Sequence, residues 1–324
     1  VVTFVNLSAG LNADSFYQLV GNTDNNQSKR VKFYDDHIYL AYNNVINGLA
    51  RASMVKYDRL GNLIWHTSLD YTSSLNDFVL DEECQIMAVG YKDQFSVSSP
   101  NESIIVRFDA DNGNVIMSQT ERNGGRHEFT KIVRQTVGAN TNYYISGTQS
   151  GPNPSNVDRT SLHKYSINGA FLFKNFYTND LSQLDEESHR GLLELSDGSI
   201  ILMGNDGPTG KGIIMKVNGS NGDFIDGLFT DQIIDFYDAV ETPNGNIILV
   251  GEKFDSDEGI VVLMDQNLNF LSSQLFRNIT DFRNIIHTTG DNYLLAGKTK
   301  GTLSYPVLFS IDYSSSTFTI NDGH

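Results

Sequence analysis

The chain has 324 residues and a net charge of −16, from 23 basic and 39 acidic side chains. That balance argues against a phosphate-backbone partner, which needs a basic face, and against attraction to anionic lipid. Only 19% of residues are charged, turn-forming Asn, Ser, Thr, Gly and Asp fill the gap, and no run of 18 apolar residues occurs, so a helix-rich protein and a helical membrane span are both disfavoured.

In chain order, residues 1–28 hold two short strand patterns, Val2–Leu7 and Phe16–Val20. From residue 29 onward one pattern recurs six times. First strands begin near Val31, Phe78, Phe129, Leu192, Phe236 and Phe282. Each leads to an apolar second strand: Ile38–Tyr42, Ile86–Gly90, Tyr144–Gly147, Ile200–Gly204, Ile247–Gly251 and Tyr293–Gly297. Third strands follow at Met54–Asp58, Ile105–Asp109, Leu162–Ser166, Ile214–Asn218, Val262–Asp265 and Leu308–Asp312. Gly61, Gly113, Gly169 and Gly222 punctuate the turns after four of these, where a positive φ is needed; Asn267 and Ser314–Ser316 serve in the other two. The fourth strands, such as Leu63–Trp65 and Phe171–Phe173, mix apolar and polar residues.

The ends of the second strands lie 48, 57, 57, 47 and 46 residues apart, the period of a four-stranded blade. A blade cannot bury both faces alone, and a ring of blades leaves only short edges. The expected fold is therefore all-β: a single β-propeller over residues 1–324 with six four-stranded blades. The repeats fall near 29–71, 72–124, 125–180, 181–232, 233–278 and 279–324. Residues 1–28 supply a strand that closes the ring against the last blade. The alternative is seven blades, the seventh degenerate and built from both termini. The start at Val1 suggests a processed or trimmed end.

Chemistry is sparse. Cys84 stands alone and has no neighbouring His or Asn in a nucleophile motif, so it reads as a structural thiol. No phosphate loop or zinc motif occurs. Asp109-Ala-Asp-Asn-Gly113 resembles the first half of a calcium loop, with Asp109 and Asp111 as ligands, but the bidentate Glu at the twelfth position is missing; a simple turn is the rival reading. The clusters Asp185–Glu187 and Asp255–Glu258 read as solvated turns. Asp77, Glu128, Asp235 and Asp281 each stand just ahead of a first strand, either as turn caps or as a ring of carboxylates at one mouth. His127 with Glu128, and His189 with Glu187, are the pairs that general acid–base catalysis would use. Tyr91, Phe95, Tyr177, Phe254 and Tyr305 are read as loop aromatics of a ligand-binding face, together with the long insertions Lys92–Glu102 and Thr148–Arg159.

Lys56-Tyr-Asp-Arg-Leu-Gly-Asn-Leu-Ile-Trp65 resembles the Asp-x-x-Gly-x-x-x-Trp signature of quinoprotein-like propeller repeats. Asp197–Gly204 and Asn244–Gly251 resemble the delta-sixty class of bacterial propeller repeats. The resemblance covers about residues 29–324 and implies a secreted or cell-surface protein of the kind common in Bacteroidetes-like bacteria. A quinone-dependent enzyme of that group would carry many tryptophans and often a vicinal cysteine pair; this chain has one of each residue. A non-catalytic binding or scaffolding propeller is therefore expected, recognising a protein or glycan through loops on one face, without nucleic acid, membrane insertion or any cofactor beyond calcium. The alternatives are a subunit of a larger surface or secretion assembly, and a glycan lyase or hydrolase with an axial carboxylate and His.

Overall fold

The computed structural model describes residues 2–5, 15–18, 27–46, 49–81, 84–92, 101–121, 126–137, 140–150, 158–177, 187–207, 209–288, 290–300, 306–314 and 317–321. Among them there are strands and turns but no helix. The chain divides into two compact units, residues 1–134 with 149–155, and residues 135–148 with 156–324.

In the first unit, β1 (Val2–Val5) pairs, among the described residues, with β2 (Ser15–Gln18) in a two-stranded sheet; the ring-closing strand was expected here. A seven-stranded antiparallel sheet follows: β3 (Gln27–Tyr34), β4 (His37–Ile46), β5 (Leu49–Asp58), β6 (Leu63–Leu80), β7 (Gln85–Lys92), β8 (Glu102–Asp109) and β9 (Val115–Glu121). The division of the chain falls inside the next sheet, β10 (His127–Val137), β11 (Asn140–Ser150), β12 (Asp158–Ser166) and β13 (Phe171–Tyr177). The second unit adds a second seven-stranded sheet: β14 (Glu187–Glu194), β15 (Ser199–Asp206), β16 (Lys211–Asn218), β17 (Phe224–Glu241), β18 (Ile247–Lys253), β19 (Glu258–Met264) and β20 (Phe270–Phe276). It ends with the four strands β21 (Ile279–His287), β22 (Asn292–Thr299), β23 (Pro306–Ser314) and β24 (Thr317–Asn321).

Both seven-stranded sheets arise in the same way. The first part of β6 pairs with β5 and the rest with β7; β17 divides likewise between β16 and β18. Each is the fourth strand of one set of four and the first strand of the next.

Burial follows the expected gradient. Every residue of β15 is buried, whereas β9 and β20 are mostly exposed. Second and third strands bury both faces and so read as continuous apolar runs, while β9 and β20 sit at the edge of their sheets. In the first unit Trp65, Phe78, Ala88, Ile104, Val106 and Phe108 share one core. In the second, Ile201, Ile214, Leu249 and Val262 share one core, and Val250, Phe282, Tyr293 and Leu295 another.

The lysine that recurs in third strands has a structural cause. Lys56 Nζ donates to the Ala110 carbonyl at 3.0 Å, Lys164 Nζ to that of Gly219 at 2.8 Å, and Lys216 Nζ to that of Gln266 at 3.1 Å. Each buried ammonium thus reaches the matching turn of the following repeat within its own unit. Burying such a charge is tolerable only with a partner of this kind.

The turn glycines Gly61, Gly113, Gly169 and Gly222 have φ of 85°, 76°, 77° and 75°. In the fifth turn Leu268, not Asn267, takes the left-handed conformation, with φ 60°. A leucine is strained there, but burial of its side chain in the core offsets the strain. Cys84 is exposed and has φ 56°, so it is not a core thiol.

Candidate functional site

First strands carry a β-bulge at one recurrent place. The register shifts between Ser28 and Arg30, Leu75 and Asp77, His189 and Gly191, Phe236 and Asp238, and Phe282 and Asn284. One residue is left over at each: Lys29, Asn76, Arg190, Tyr237 and Arg283. A bulge bends its strand and re-aims the extra side chain.

At three of these bulges a close backbone approach also explains the glycine that ends the second strand. Gly90, Gly251 and Gly297 face Leu75, Phe236 and Phe282, the residues just before the bulge. A Cβ on them would lie 1.9, 2.1 and 2.2 Å from the carbonyl oxygens of Ser74, Asp235 and Asp281. The first-strand backbone approaches too closely for any side chain.

In the second unit the bulges at Arg190, Tyr237 and Arg283 come from β14, β17 and β21. Both guanidiniums lie over the Tyr237 ring, Arg283 with Cζ 3.7 Å from its centroid and Arg190 at 5.4 Å. Tyr237 is buried and donates its hydroxyl to Glu252 Oε2 at 3.0 Å. Arg283 meets Asp281 Oδ2 through Nε at 2.7 Å and a terminal nitrogen at 2.6 Å; that terminal nitrogen also lies 3.8 Å from Glu252. Lys298 Nζ stands 3.4 Å from Asp281. Arg190 Nε lies 3.1 Å from Asp235 Oδ2. The carboxylates of Asp235 and Asp281 are sealed off, whereas Arg190 and Arg283 keep 44% and 40% of their side chains exposed. The result is two open guanidiniums held from behind by buried acids and an aromatic ring, an arrangement suited to planar anions.

The electrostatics follow from that burial. Desolvation outweighs the lowering by Arg190, Tyr237 and Arg283 and leaves the Asp235 carboxyl raised to about 6. Burial and the neighbouring Asp235 push the Tyr237 hydroxyl up as well. Burial works against the charge on Arg283, but Tyr237, Asp281 and Glu252 more than compensate and hold it more firmly protonated.

The first unit also buries an acid against cations, at a different place along its first strand. Asp77 is buried against Arg30 Nε at 3.1 Å and Lys32 Nζ at 3.5 Å, and accepts from the Ile132 amide at 3.2 Å. Burial opposes its ionisation, but Lys32, Arg30, Lys131 and that amide outweigh it and lower the carboxyl to about 2.

Of the four expected acids, Asp77 accepts from the backbone amides of Phe78 and Ile132, as a capping carboxylate does, whereas Asp235 and Asp281 face basic side chains. The register separates them too. Asp77 stands two places after the residue facing Gly90, which makes it the counterpart of Asp238, two places after the residue facing Gly251. Asp238 likewise accepts from a backbone amide of the next first strand, that of Ile285 at 3.3 Å. Asp235 and Asp281 precede the bulge. Glu128 is half-buried, with Arg126 at 2.8 Å and the Asn101 side chain at 2.5 Å.

The other expected site residues serve different local roles. Asp109 Oδ1 accepts from the Asp111 amide at 2.8 Å and Oδ2 from Asn112 Nδ2 at 2.8 Å. Asp58 and Asp265 are bound in the same way by Asn62 and Asn269. Asp109 thus carries the same turn device as Asp58 and Asp265, with its carboxylate engaged within its own turn. Tyr177 is not in a loop: it ends β13, is buried, and donates to the Gly222 carbonyl at 2.7 Å. Tyr177→Phe is expected to cost about 1 kcal/mol in urea denaturation, the worth of one hydrogen bond, and to leave ligand binding unchanged. Tyr91 is half-buried near the end of β7, opposite Ser103. Phe254 is exposed in the turn after β18. His127 is buried edge-on to Phe129, with centroids 4.9 Å apart. Phe95, Tyr305, residues 93–100 and 151–157 of the two insertions, and the side chains of Glu187 and His189 lie outside the described residues.

Arg190, Tyr237 and Arg283 were not singled out from the sequence. Their spacing of 47 and 46 residues is that of the repeat itself, so counting back from the second-strand glycines would have aligned them.

No sequence family and no curated protein matches the chain. Solved structures do. A Bacteroides caccae protein of unknown function is 10% identical, with a TM-score of 0.55 over 80% of this chain and 86% of its own. The Dos1 propeller is 12% identical, with a TM-score of 0.59 over 90% and 68%. The periplasmic gluconolactonase PpgL of Pseudomonas aeruginosa is 13% identical, with a TM-score of 0.59 over 90% and 84%. At such identities the likeness concerns the fold alone, and the fold is that of the β-propeller class.

Proposed function

We propose that the chain is an exported, non-catalytic binding propeller of six blades that recognises a carboxylate-bearing glycan at Arg190 and Arg283. The observation that carries this reading is the pair of half-exposed guanidiniums stacked over one buried tyrosine at equivalent bulges. Buried Asp235, Asp281 and Glu252 fix them in place, and a preorganised cation binds at a smaller entropic cost. The six sets of four strands after β2 favour six blades. An exported location accords with the periplasmic relative, and no helix among the described residues is long and apolar enough to cross a membrane.

Calorimetry with galacturonate oligomers against neutral galactose oligomers tests the proposal. The acidic series is expected to bind, and Arg283→Met to weaken it about tenfold or more, the loss of one charge-assisted contact. Equal binding of neutral and acidic series would sink the idea. Capture of one stoichiometric envelope protein, with no glycan bound, would favour the assembly subunit instead.

A further inference from the structure

Within the second unit a cavity of about 310 Å³ opens between β16–β17 and β19–β20, lined by Ile214, Phe229, Phe236, Ile260, Val262 and Met264. Its origin lies in the register. Phe229 faces Ile213 and Ile233 faces Lys211, so Thr230, Asp231 and Gln232 arch over Gly212 alone. Thr230 Oγ1 fastens the arch, accepting from the Gly212 amide at 2.9 Å and donating to the Gln232 carbonyl at 2.7 Å.

The first unit contains the same arch. Ser68 faces Ser53 and Thr72 faces Arg51, which leaves Leu69, Asp70 and Tyr71 over Ala52. Ser68 and Phe229 both stand seven residues ahead of the residue facing the second-strand glycine, Leu75 opposite Gly90 and Phe236 opposite Gly251. Leu69 therefore corresponds to Thr230, and Tyr71 to Gln232. The surroundings match as well. Ile104, Val106 and Phe108 of β8 occupy the places of Ile260, Val262 and Met264 of β19, and Ser118, opposite Val106, that of Ser273, opposite Val262.

In the first unit this space is filled from within. Leu69 is buried in the core with Ile104, Val106 and Phe108; Tyr71 packs against the same cluster and its hydroxyl meets Ser118 Oγ at 3.0 Å. In the second unit Thr230 is tied to the backbone and Gln232 is exposed. The apolar walls remain, Ser273 lines them, and no side chain fills the middle.

We propose that this cavity binds a small uncharged phenolic molecule. Its ring takes the place the Tyr71 ring holds in the first unit, and its hydroxyl meets Ser273 Oγ as Tyr71 meets Ser118. The volume stands at the lower limit of ligand pockets, and an apolar lining with few polar groups is what such sites offer. Asp231 on the rim disfavours carboxylated rings, so this site is independent of the arginine pair.

The test uses p-cresol, the tyrosine side chain as a free molecule, titrated into the whole chain carrying ¹³C-methyl methionine. A saturable shift of the Met264 methyl is expected. The double variant T230L/Q232Y, which restores the internal filling, is expected to abolish that shift and raise Tm. Ser273→Ala retains the cavity and is expected to weaken p-cresol about tenfold while leaving toluene unchanged. A Met264 methyl that does not move at millimolar p-cresol overturns the proposal, as does an equal shift in the filled variant. If the filled variant does not fold, equal affinity of Ser273→Ala and wild type for p-cresol overturns it instead.

Discussion

Gly251→Ala is expected to destabilise the protein by about 3 kcal/mol, at the upper end of overpacking costs. The added methyl would meet the Asp235 carbonyl oxygen at 2.1 Å and its carbon at 3.1 Å. Both are backbone atoms in the part of β17 that is laddered to β18, so they yield only by breaking that pairing. Gly198→Ala is the control. Gly198 has φ of 81°, and nothing lies within 4 Å of the place its methyl would take, so only the left-handed backbone opposes alanine, at about 1 kcal/mol. Chemical denaturation of both variants compares a close approach with a backbone preference. Equal losses would mean that the bulge does not set the glycine.

Stability is expected to peak near pH 4–5, because two buried carboxylates pull in opposite directions. The Asp235 carboxyl titrates near 6 when folded and near 3.8 when unfolded. Between those values the folded chain holds a proton that the unfolded chain has lost, so stability falls as pH rises through this window, by on the order of 3 kcal/mol. Above it both states are ionised and the full cost persists. The Asp77 carboxyl is depressed to about 2 from 3.8. Its contribution, on the order of 2 kcal/mol, is present above pH 4 and is lost as pH falls towards 2. Asp58, Asp197 and Asp265 are lowered and act in the same sense as Asp77, whereas Glu194 is raised by burial and acts with Asp235.

Melting temperature followed from pH 2 to 8 measures the profile. Asp235→Asn is expected to remove the decline between pH 4 and 6 and to exceed wild type at pH 7, since Arg190 is exposed enough to be solvated without its partner. Asp77→Asn is expected to flatten the acid limb. Wild-type stability that climbs steadily from pH 4 to 7 would show that Asp235 is ionised at little cost.

The strand repeats were legible because burial writes itself into composition. Ile200–Gly204 and Ile247–Gly251 sit inside β15 and β18, where both faces are covered, and the turn glycines have the positive φ their places demand. First strands were less legible, because an inserted residue breaks the alternation on which strand reading depends. Asp77-Phe78 looks like Asp235-Phe236 in sequence, yet the bulge falls before the first pair and after the second. The same shift hid Arg190, Tyr237 and Arg283, whose side chains meet only once each strand has slipped by one. Tyr177 was misplaced for a different reason. An aromatic beside a polar stretch reads as a loop residue, and nothing local shows that its hydroxyl reaches a carbonyl 45 residues on.

The passage of β6 and β17 from one set of strands into the next without a loop bears on how the chain could be cut or rearranged. Proteases nick exposed loop tips, and permuted termini are tolerated there. The joins within β6 and β17 offer neither, since their residues pair on both sides of each join. Limited digestion should therefore cut at hairpin tips such as Asp197–Gly198 and leave the joins within β6 and β17 intact. New termini belong at hairpin tips such as Asp197–Gly198, and a graft that exchanges one repeat for another should carry its strand-sharing neighbour with it.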